Sequence, residues 1–223
     1  MASQMIVGAL GDIHGDFTSV RRLMRQHPEV PFWLCVGDVA DAQGYYEPLD
    51  APLYWIKGNN ENFDLIASGD LPAGHHYIAN GTVVTVSGLR VAGLGGTFAP
   101  TMYEMPSAEL PHPVKRSAKA TELADRRRHF VREEVNACKQ LEKVDVLLTH
   151  EAPRPFRSAR GNDAGKTPIN EVLAAMKPRL HLFGHHHRLA EADVGGVRSV
   201  CLDLVSASYL LIDTPSLGYH IRS

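Results

Sequence analysis

Short apolar runs, each stopped by a polar cluster, recur along this chain. The first, Met5-Ile-Val-Gly-Ala-Leu10, is halted by Gly11-Asp12 and reads as a buried strand. Phe17, Val20, Leu23 and Met24 fall at helical spacing with Arg21, Arg22 and Arg25 between them, which predicts a helix from Phe17 to Gln26. Phe32 to Val36 and Pro52 to Ile56 repeat the strand pattern and end on Gly37-Asp38 and Lys57-Gly58-Asn59. Strand–helix–strand repetition with short links predicts an α/β sheet.

Thr82 to Val86 and Leu89 to Leu94, joined by Ser87-Gly88, predict a hairpin. Gly95 to Lys119 is rich in Pro, Gly and Ser and reads as a long loop of the kind that often carries function. A charged helix is expected over Thr121 to Leu141, leading into a strand at Val144 to Leu148. Thr167 as N-cap with Pro168 behind it predicts a helix through Met176. The strand Leu180 to Phe183 then meets Gly184-His-His-His187, and Val197 to Ile221 reads as an antiparallel set of three short runs. With no linker, repeat or low-complexity block, a single domain over residues 1–223 is the simplest expectation.

Composition narrows the field. A hydrophobic fraction of 44% with 22% charged residues is enough for a full core. The net charge of −2 gives the whole molecule no general pull on nucleic acid, so anions must be held by local patches or bound cations. Three cysteines cannot all pair, and Cys35 and Cys201 sit in apolar runs where a thiol acts as a small hydrophobe. A reducing, cytoplasmic compartment is expected. No run approaches the 18 or so apolar residues of a membrane span. Twelve histidines are the compositional oddity.

Many of those histidines fall directly after predicted strands, with carboxylates and amides: Asp12-x-His14, Gly37-Asp38-x-x-Asp41, Gly58-Asn59-Asn60-Glu61, Thr149-His150 and Gly184-His185-x-His187. Open α/β sheets gather their sites at strand carboxyl ends, so these segments are expected to converge. The oxygen and imidazole donors, without cysteine, suit Mn2+, Fe, Zn2+ or Mg2+ rather than a closed structural zinc. Any one cluster has an ordinary reading as a turn or cap. Five independent turns all carrying ligand-type residues do not.

This ordered set resembles the calcineurin-like metallophosphoesterase superfamily. The resemblance implies an α/β (α+β) fold, a four-layer αββα sandwich of two mixed β-sheets flanked by helices. It also implies two divalent cations, Mn foremost, with Fe, Zn, Mg or Ni as alternatives. Asp12, His14 and His187 would hold one; Asn59, His150 and His185 the other; Asp38 would bridge. Two cations about 3.5–4 Å apart activate a bridging water and clamp phosphate oxygens, so hydroxide would attack phosphorus in line with the leaving alkoxide. By the same resemblance Asp41 orients a ligand or its water network, and His186 falls at a variable position outside the ligand set.

Many superfamily members carry His after the metal-binding Asn and use it to protonate the leaving group. Here that residue is Asn60, whose amide donates a hydrogen bond but cannot deliver a proton. Members with Cys at this position act on diesters, so the substitution favours a phosphodiesterase in which Asn60 meets substrate, or an enzyme drawing its acid from His75, His76 or His186. The stretches Tyr54 to Asn62, Leu89 to Gly96 and Val144 to Pro153 are similar to the catalytic domain of RNA lariat debranching enzymes, whose loop equivalent to Thr97–Lys119 contacts branched RNA. Asp12 stands where many of those enzymes have Cys.

Arg154, Arg157 and Arg160 follow the His150 strand and are the favoured substrate contacts. Lys115, Arg116 and Lys119 precede Arg126-Arg127-Arg128, a run that also lies just beyond a predicted site loop where it could meet phosphates, though a solvated helix face salted with Glu122, Asp125, Glu133 and Glu134 is the slightly favoured reading. The expected partner is a phosphodiester substrate, nucleic acid among the candidates, and no membrane. Two competing readings are a phosphomonoesterase and a fold relative that serves as a scaffold. Gly11-Asp-Ile-His-Gly15 suggests the protein-phosphatase type of the first, but Ala42 stands where that type has Arg.

Overall fold

Alternation of apolar residues on both faces of short strands decides the layering. The computed structural model describes residues 5–110, 125–158 and 161–223. The first half runs β1 (Ile6–Leu10), α1 (Phe17–Gln26), β2 (Trp33–Cys35), β3 (Leu53–Trp55), α2 (Phe63–Ser68), β4 (His75–Tyr77), β5 (Val83–Val86), β6 (Leu89–Leu94) and β7 (Thr97–Phe98). The second runs β8 (His129–Phe130), α3 (Arg132–Lys139), β9 (Val146–Thr149), α4 (Thr167–Met176), β10 (Leu180–Phe183), β11 (Ala190–Val194), β12 (Val197–Cys201), β13 (Tyr209–Asp213) and β14 (Gly218–Arg222).

Two mixed sheets of six strands result, in the orders β14-β13-β1-β2-β3-β4 and β11-β12-β10-β9-β6-β5. Their facing residues, among them Val7, Ala9, Leu34 and Ile56 from the first and Val91, Val146, Leu148 and Leu182 from the second, form one buried core between the sheets. The alternate residues turn outward. Leu10, Trp33, Cys35, Leu53 and Trp55 pack under α1, whose Phe17, Val20, Leu23 and Met24 line its buried face. On the other side Ala92, Leu94 and Leu147 meet Val135 and Cys138 of α3 and Ile169, Val172 and Leu173 of α4. The stack is helix, sheet, sheet, helix, as the resemblance implied.

Several expected elements differ. The charged helix placed over Thr121–Leu141 is α3 alone, Arg132–Lys139; residues 121–124 lie outside the described residues, as do Lys115, Arg116, Lys119 and Arg160. Asp125 accepts the amide of Arg127 and caps a single 3-10 turn, Arg126–Arg128. His129 and Phe130 pair in parallel with Thr97 and Phe98 of β7, and Val131 stays extended as the N-cap, so the chain runs extended there before α3 begins. Helix α4 takes Lys166, not Thr167, as its N-cap and has no side-chain cap. The tail is not one antiparallel set. β12 lies antiparallel to β11 and parallel to β10 in the second sheet, while β13 and β14 close the first. Period-two alternation marks a strand but does not say which of two sheets will bury it.

All three cysteines are free and buried. No helix among the described residues is long and apolar enough to cross a membrane.

Candidate metal centre

The ligand-type clusters follow β1, β2 and β3 of the first sheet and β9 and β10 of the second. Pairing is parallel within each group, so all five strands deliver their carboxyl ends to one edge of the sandwich. There Asp12, His14 and His187 bring one donor atom each within 4.8 Å of one another, and Asp38, His150 and His185 do the same. The two triads touch. Asp38 Oδ2 lies 3.6 Å from His14 Nε2 and 3.7 Å from His150 Nε2, between the two groups. His187 Nε2 is 3.1 Å from both His14 Nε2 and Asp12 Oδ2, and His150 Nε2 is 3.2 Å from Asn59 Oδ1.

These spacings fit cations. Donors about 2.0–2.1 Å from a shared ion stand roughly 3.0–3.4 Å apart at octahedral to tetrahedral angles. The donor set is carboxylate, imidazole and amide, matching hard to borderline divalent ions.

The surrounding chain is shaped to leave room for the donors. A Cβ on Gly58 would fall 2.0 Å from Asp38 Oδ1, and one on Gly184 would fall 2.3 Å from Asp12 Oδ1. His14, Asp38, His185 and His187 all take positive φ, between 45° and 69°. Each such conformation costs roughly 1–3 kcal/mol and is typical of functional sites. At 185 and 187 it turns two of three consecutive imidazoles toward the cluster.

Hydrogen bonds fix the donors before any ion arrives. The His150 Nδ1–H donates to Val36 O (2.9 Å), which leaves the Nε2 lone pair facing the cluster. The backbone N–H of His185 donates to both oxygens of Asp12, at 3.2 and 3.0 Å. Asp38 Oδ1 accepts the amides of Asn59 (2.6 Å) and Asn60 (2.8 Å). Burial alone would raise the Asp38 carboxyl, but His150, the Asn60 amide and His14 hold it below its ordinary value, so it stays anionic. Burial pushes His185 down to about 4, keeping it neutral and able to ligate.

Residues expected around the ligands fall differently. The Asn60 side-chain amide donates to Asp38 Oδ2 (3.0 Å), so it orients the central carboxylate while lining the cavity. Asp41 lines the same cavity, and its Oδ1 accepts the amides of Gln43 and Tyr45, both at 2.8 Å, closing its own turn. His186 packs at a tilt against Phe156 with ring centroids 4.6 Å apart, outside the cavity lining. His75 is buried against Phe17 and Tyr46, its Nε2–H donating to Glu47 O, and His76 stacks on Tyr54.

The two arginine runs differ in what they face. Arg154 pairs with Asp163 through Nε (2.8 Å), and the Arg157 carbonyl accepts from Arg188; neither arginine lines the cavity. That cavity, of about 630 Å3, opens beside His14, Asn59 and Asn60 and extends to Asp125, Arg127 and Arg128. The arginines expected on a solvated helix are the ones that face it.

Glu61 has a role the motif spacing did not reveal. Its buried carboxylate accepts the amides of Val39, Ala40 and Gly58 and the Tyr46 hydroxyl, tying the Asp38 loop to the Asn59 loop. Burial first of all pushes its pKa up to about 7. Lys57 is also buried and donates to the carbonyls of Arg127 (2.9 Å) and His129 (3.2 Å). Only an acceptor at i+3 before an apolar helix could have flagged Glu61 in sequence; nothing flags Lys57.

Fold and site together define a metal-dependent phosphoesterase with two candidate cation clusters, and comparison with known proteins agrees. The Calcineurin-like phosphoesterase family model matches residues 5–189, and the chain belongs to that family. A lariat debranching enzyme of Schizosaccharomyces pombe is 27% identical over 205 residues, 78% of this chain and 42% of that one. The chain therefore spans less than half of that relative. A lariat debranching enzyme of Entamoeba histolytica is 21% identical over 253 residues, covering 91% and 70%. Among solved structures, a Thermus thermophilus protein superimposes with TM-score 0.68 at 14% identity over 99% of both chains. A dimetal phosphatase of Danio rerio gives 0.57 at 10% identity over 97% and 98%. Both share the fold.

Proposed function

We propose that this chain is a two-cation phosphodiesterase, working with Mn2+, that hydrolyses a nucleotide or nucleic-acid phosphodiester. Asp12, His14 and His187 hold one cation, Asn59, His150 and His185 the other, and Asp38 lies between them. The observation carrying this reading is the central position of Asp38 Oδ2, within 3.7 Å of an imidazole nitrogen from each triad. Bound at this spacing, a cation pair supplies a hydroxide nucleophile at neutral pH and screens the phosphate oxygens.

The chain's own residues do the rest. Asn59 and Asn60 amides fix Asp38, and the His185 amide fixes Asp12, so the donors need no reorganisation on binding. Asn60 offers an amide where a proton donor would serve a phosphomonoesterase, which favours the diester. A cavity of about 630 Å3 beside His14 and Asn60 has room for more than one phosphoryl group. The lariat debranching relatives point to the same bond class, and the buried free thiols suit a cytoplasmic setting.

The test is turnover of bis-p-nitrophenyl phosphate against p-nitrophenyl phosphate by Mn2+-loaded protein. Faster cleavage of the diester is expected. Preference for the monoester would overturn the reading, as would fewer than one retained Mn2+ per chain.

A further inference from the structure

Arg128 stands out among the cavity-lining side chains. Its neighbour Arg127 is fully engaged, with Asp125 and Asp64 pairing its guanidinium and Phe63 O accepting from it. Arg128 makes no side-chain hydrogen bond or ion pair among the described residues, and its Nε is buried without a partner. A buried, unpaired donor on a cation is costly, so a structural role for this guanidinium would have supplied an acceptor. The carboxylates that line the cavity are already used: Asp41 in its turn, Asp64 and Asp125 by Arg127, Glu61 by three amides and Tyr46.

The backbone around Arg128 is pinned to the metal loop. Lys57 Nζ donates to the carbonyls on both sides of it, those of Arg127 and His129. Glu134 lies 3.8 Å from the same ammonium. Lys57 itself directly precedes Gly58-Asn59-Asn60, and its own carbonyl accepts the Gly96 amide at 2.6 Å. Gly96 has φ +90°, and a Cβ there would fall 2.5 Å from the Arg128 carbonyl. The two Lys57 hydrogen bonds thus fix the backbone on both sides of Arg128 beside the cavity that Asn59 and Asn60 share.

We propose that Arg128 is a substrate-binding residue that takes a phosphate oxygen of the diester, and that Lys57 is the positioning residue that presents it. This deepens the phosphodiesterase reading and rests on it. A guanidinium fork matches two phosphate oxygens, and a phosphate in the cavity would give this cation the charge partner that the described residues do not.

The experiment compares Mn2+-loaded wild-type protein with Arg128→Ala, Arg128→Lys and Lys57→Met, using Arg126→Ala as control. Arg126 is exposed, outside the cavity lining, and removes the same charge. Affinity for inorganic phosphate is read by calorimetry, and KM and kcat on bis-p-nitrophenyl phosphate and on a 5′-phosphorylated dinucleotide. Arg128→Ala is expected to weaken phosphate binding or raise KM roughly ten- to a hundredfold, as loss of a charge-assisted hydrogen bond does. Its Mn2+ content should match wild type. Arg128→Lys restores part of the loss. Lys57→Met shifts KM in the same direction and adds little to Arg128→Ala in the double variant, because both act through one contact.

A loss on both diesters places the contact at the scissile phosphate; a loss confined to the dinucleotide places it at the neighbouring phosphate. Either supports the proposal. Phosphate affinity and both KM values within about threefold of wild type for Arg128→Ala would overturn it. Should wild-type protein cleave no diester, the functional reading falls, while the phosphate measurement still decides Arg128.

Discussion

Gly58→Ala isolates the space that the metal loop leaves for Asp38. Gly58 does not take positive φ, so alanine meets no backbone strain there and only crowding is tested. The added Cβ would lie 2.0 Å from Asp38 Oδ1 and 2.4 Å from Asp38 N, where ordinary contact begins at 3.4 Å. Carboxylate and loop must separate by roughly 1.4 Å. Asp38 Oδ1 holds the Asn59 and Asn60 amides at 2.6 and 2.8 Å, and a shift of that size breaks both bonds. Losing them costs about 1–3 kcal/mol of stability. The effect on the site is larger, since metal ligands tolerate about 0.2 Å and a misplacement of about 1 Å costs catalysis on the order of a hundredfold. Mn2+ content after gel filtration, turnover of bis-p-nitrophenyl phosphate and a thermal melt together read the outcome. A folded protein that keeps at most one of its two Mn2+ ions and loses about a hundredfold in kcat/KM is expected. Two retained ions with wild-type turnover would refute the claim that Gly58 makes room for the central carboxylate.

Asp38→Asn tests the same residue by charge rather than by position. Its Oδ1 can still accept from Asn59 and Asn60, so the fold should persist by circular dichroism while turnover is lost; retained activity would remove Asp38 from the centre. His181 bears on pH dependence. It is buried, with Nε2–H donating to Thr149 Oγ1 and Nδ1 beside Ser199 Oγ, and burial pushes its pKa down to about 3. The unfolded chain takes up that proton near pH 6.5 and the folded chain only near 3, so stability present above 6.5 drains away as pH falls between them. By pH 5 the loss is on the order of 2 kcal/mol. His181→Asn should flatten the decline in urea denaturation at pH 7 and 5 by about that much, and equal slopes would count against the neutral buried imidazole.

The candidate ligands were legible because each sits directly after an apolar run, and parallel strands carry such positions to one edge. Of three consecutive histidines, the superfamily resemblance singled out His185 and His187, which residue type alone could not do. Which two face the cluster depends on positive φ at His185 and His187, a backbone choice that residue identity does not announce. Arg128 and Lys57 were illegible for another reason. Their relation spans some seventy positions and is made by a buried ammonium reaching two carbonyls, neither of which leaves a side-chain pattern. The arginine run looked like a helix face because charge alternation is a helical habit, yet the two residues after it pair with Thr97 and Phe98, a long-range ladder that local pattern does not announce. The second-sheet placement of β12 was likewise hidden, since either sheet would satisfy its alternation.

The bonds that orient the donors also join the two sheets. Asp12, after β1 in the first sheet, accepts the amide of His185, after β10 in the second. His150, after β9 in the second sheet, donates to the carbonyl of Val36, after β2 in the first. Within the first sheet, Asp38 accepts from the Asn59 loop and Glu61 from the Asp38 loop, so the two loops hold each other. Asp12, Asp38 and His150 are therefore also structural clasps, and the positive-φ backbone at His185 is held by one of these bonds. It follows that conservative and truncating substitutions at these positions should separate sharply. A change that keeps the acceptor, as Asp38→Asn does, removes charge from the centre and leaves the sheets clasped. A change that deletes it, as Asp12→Ala would, leaves the His185 amide without its partner and loosens the edge where all five strands end.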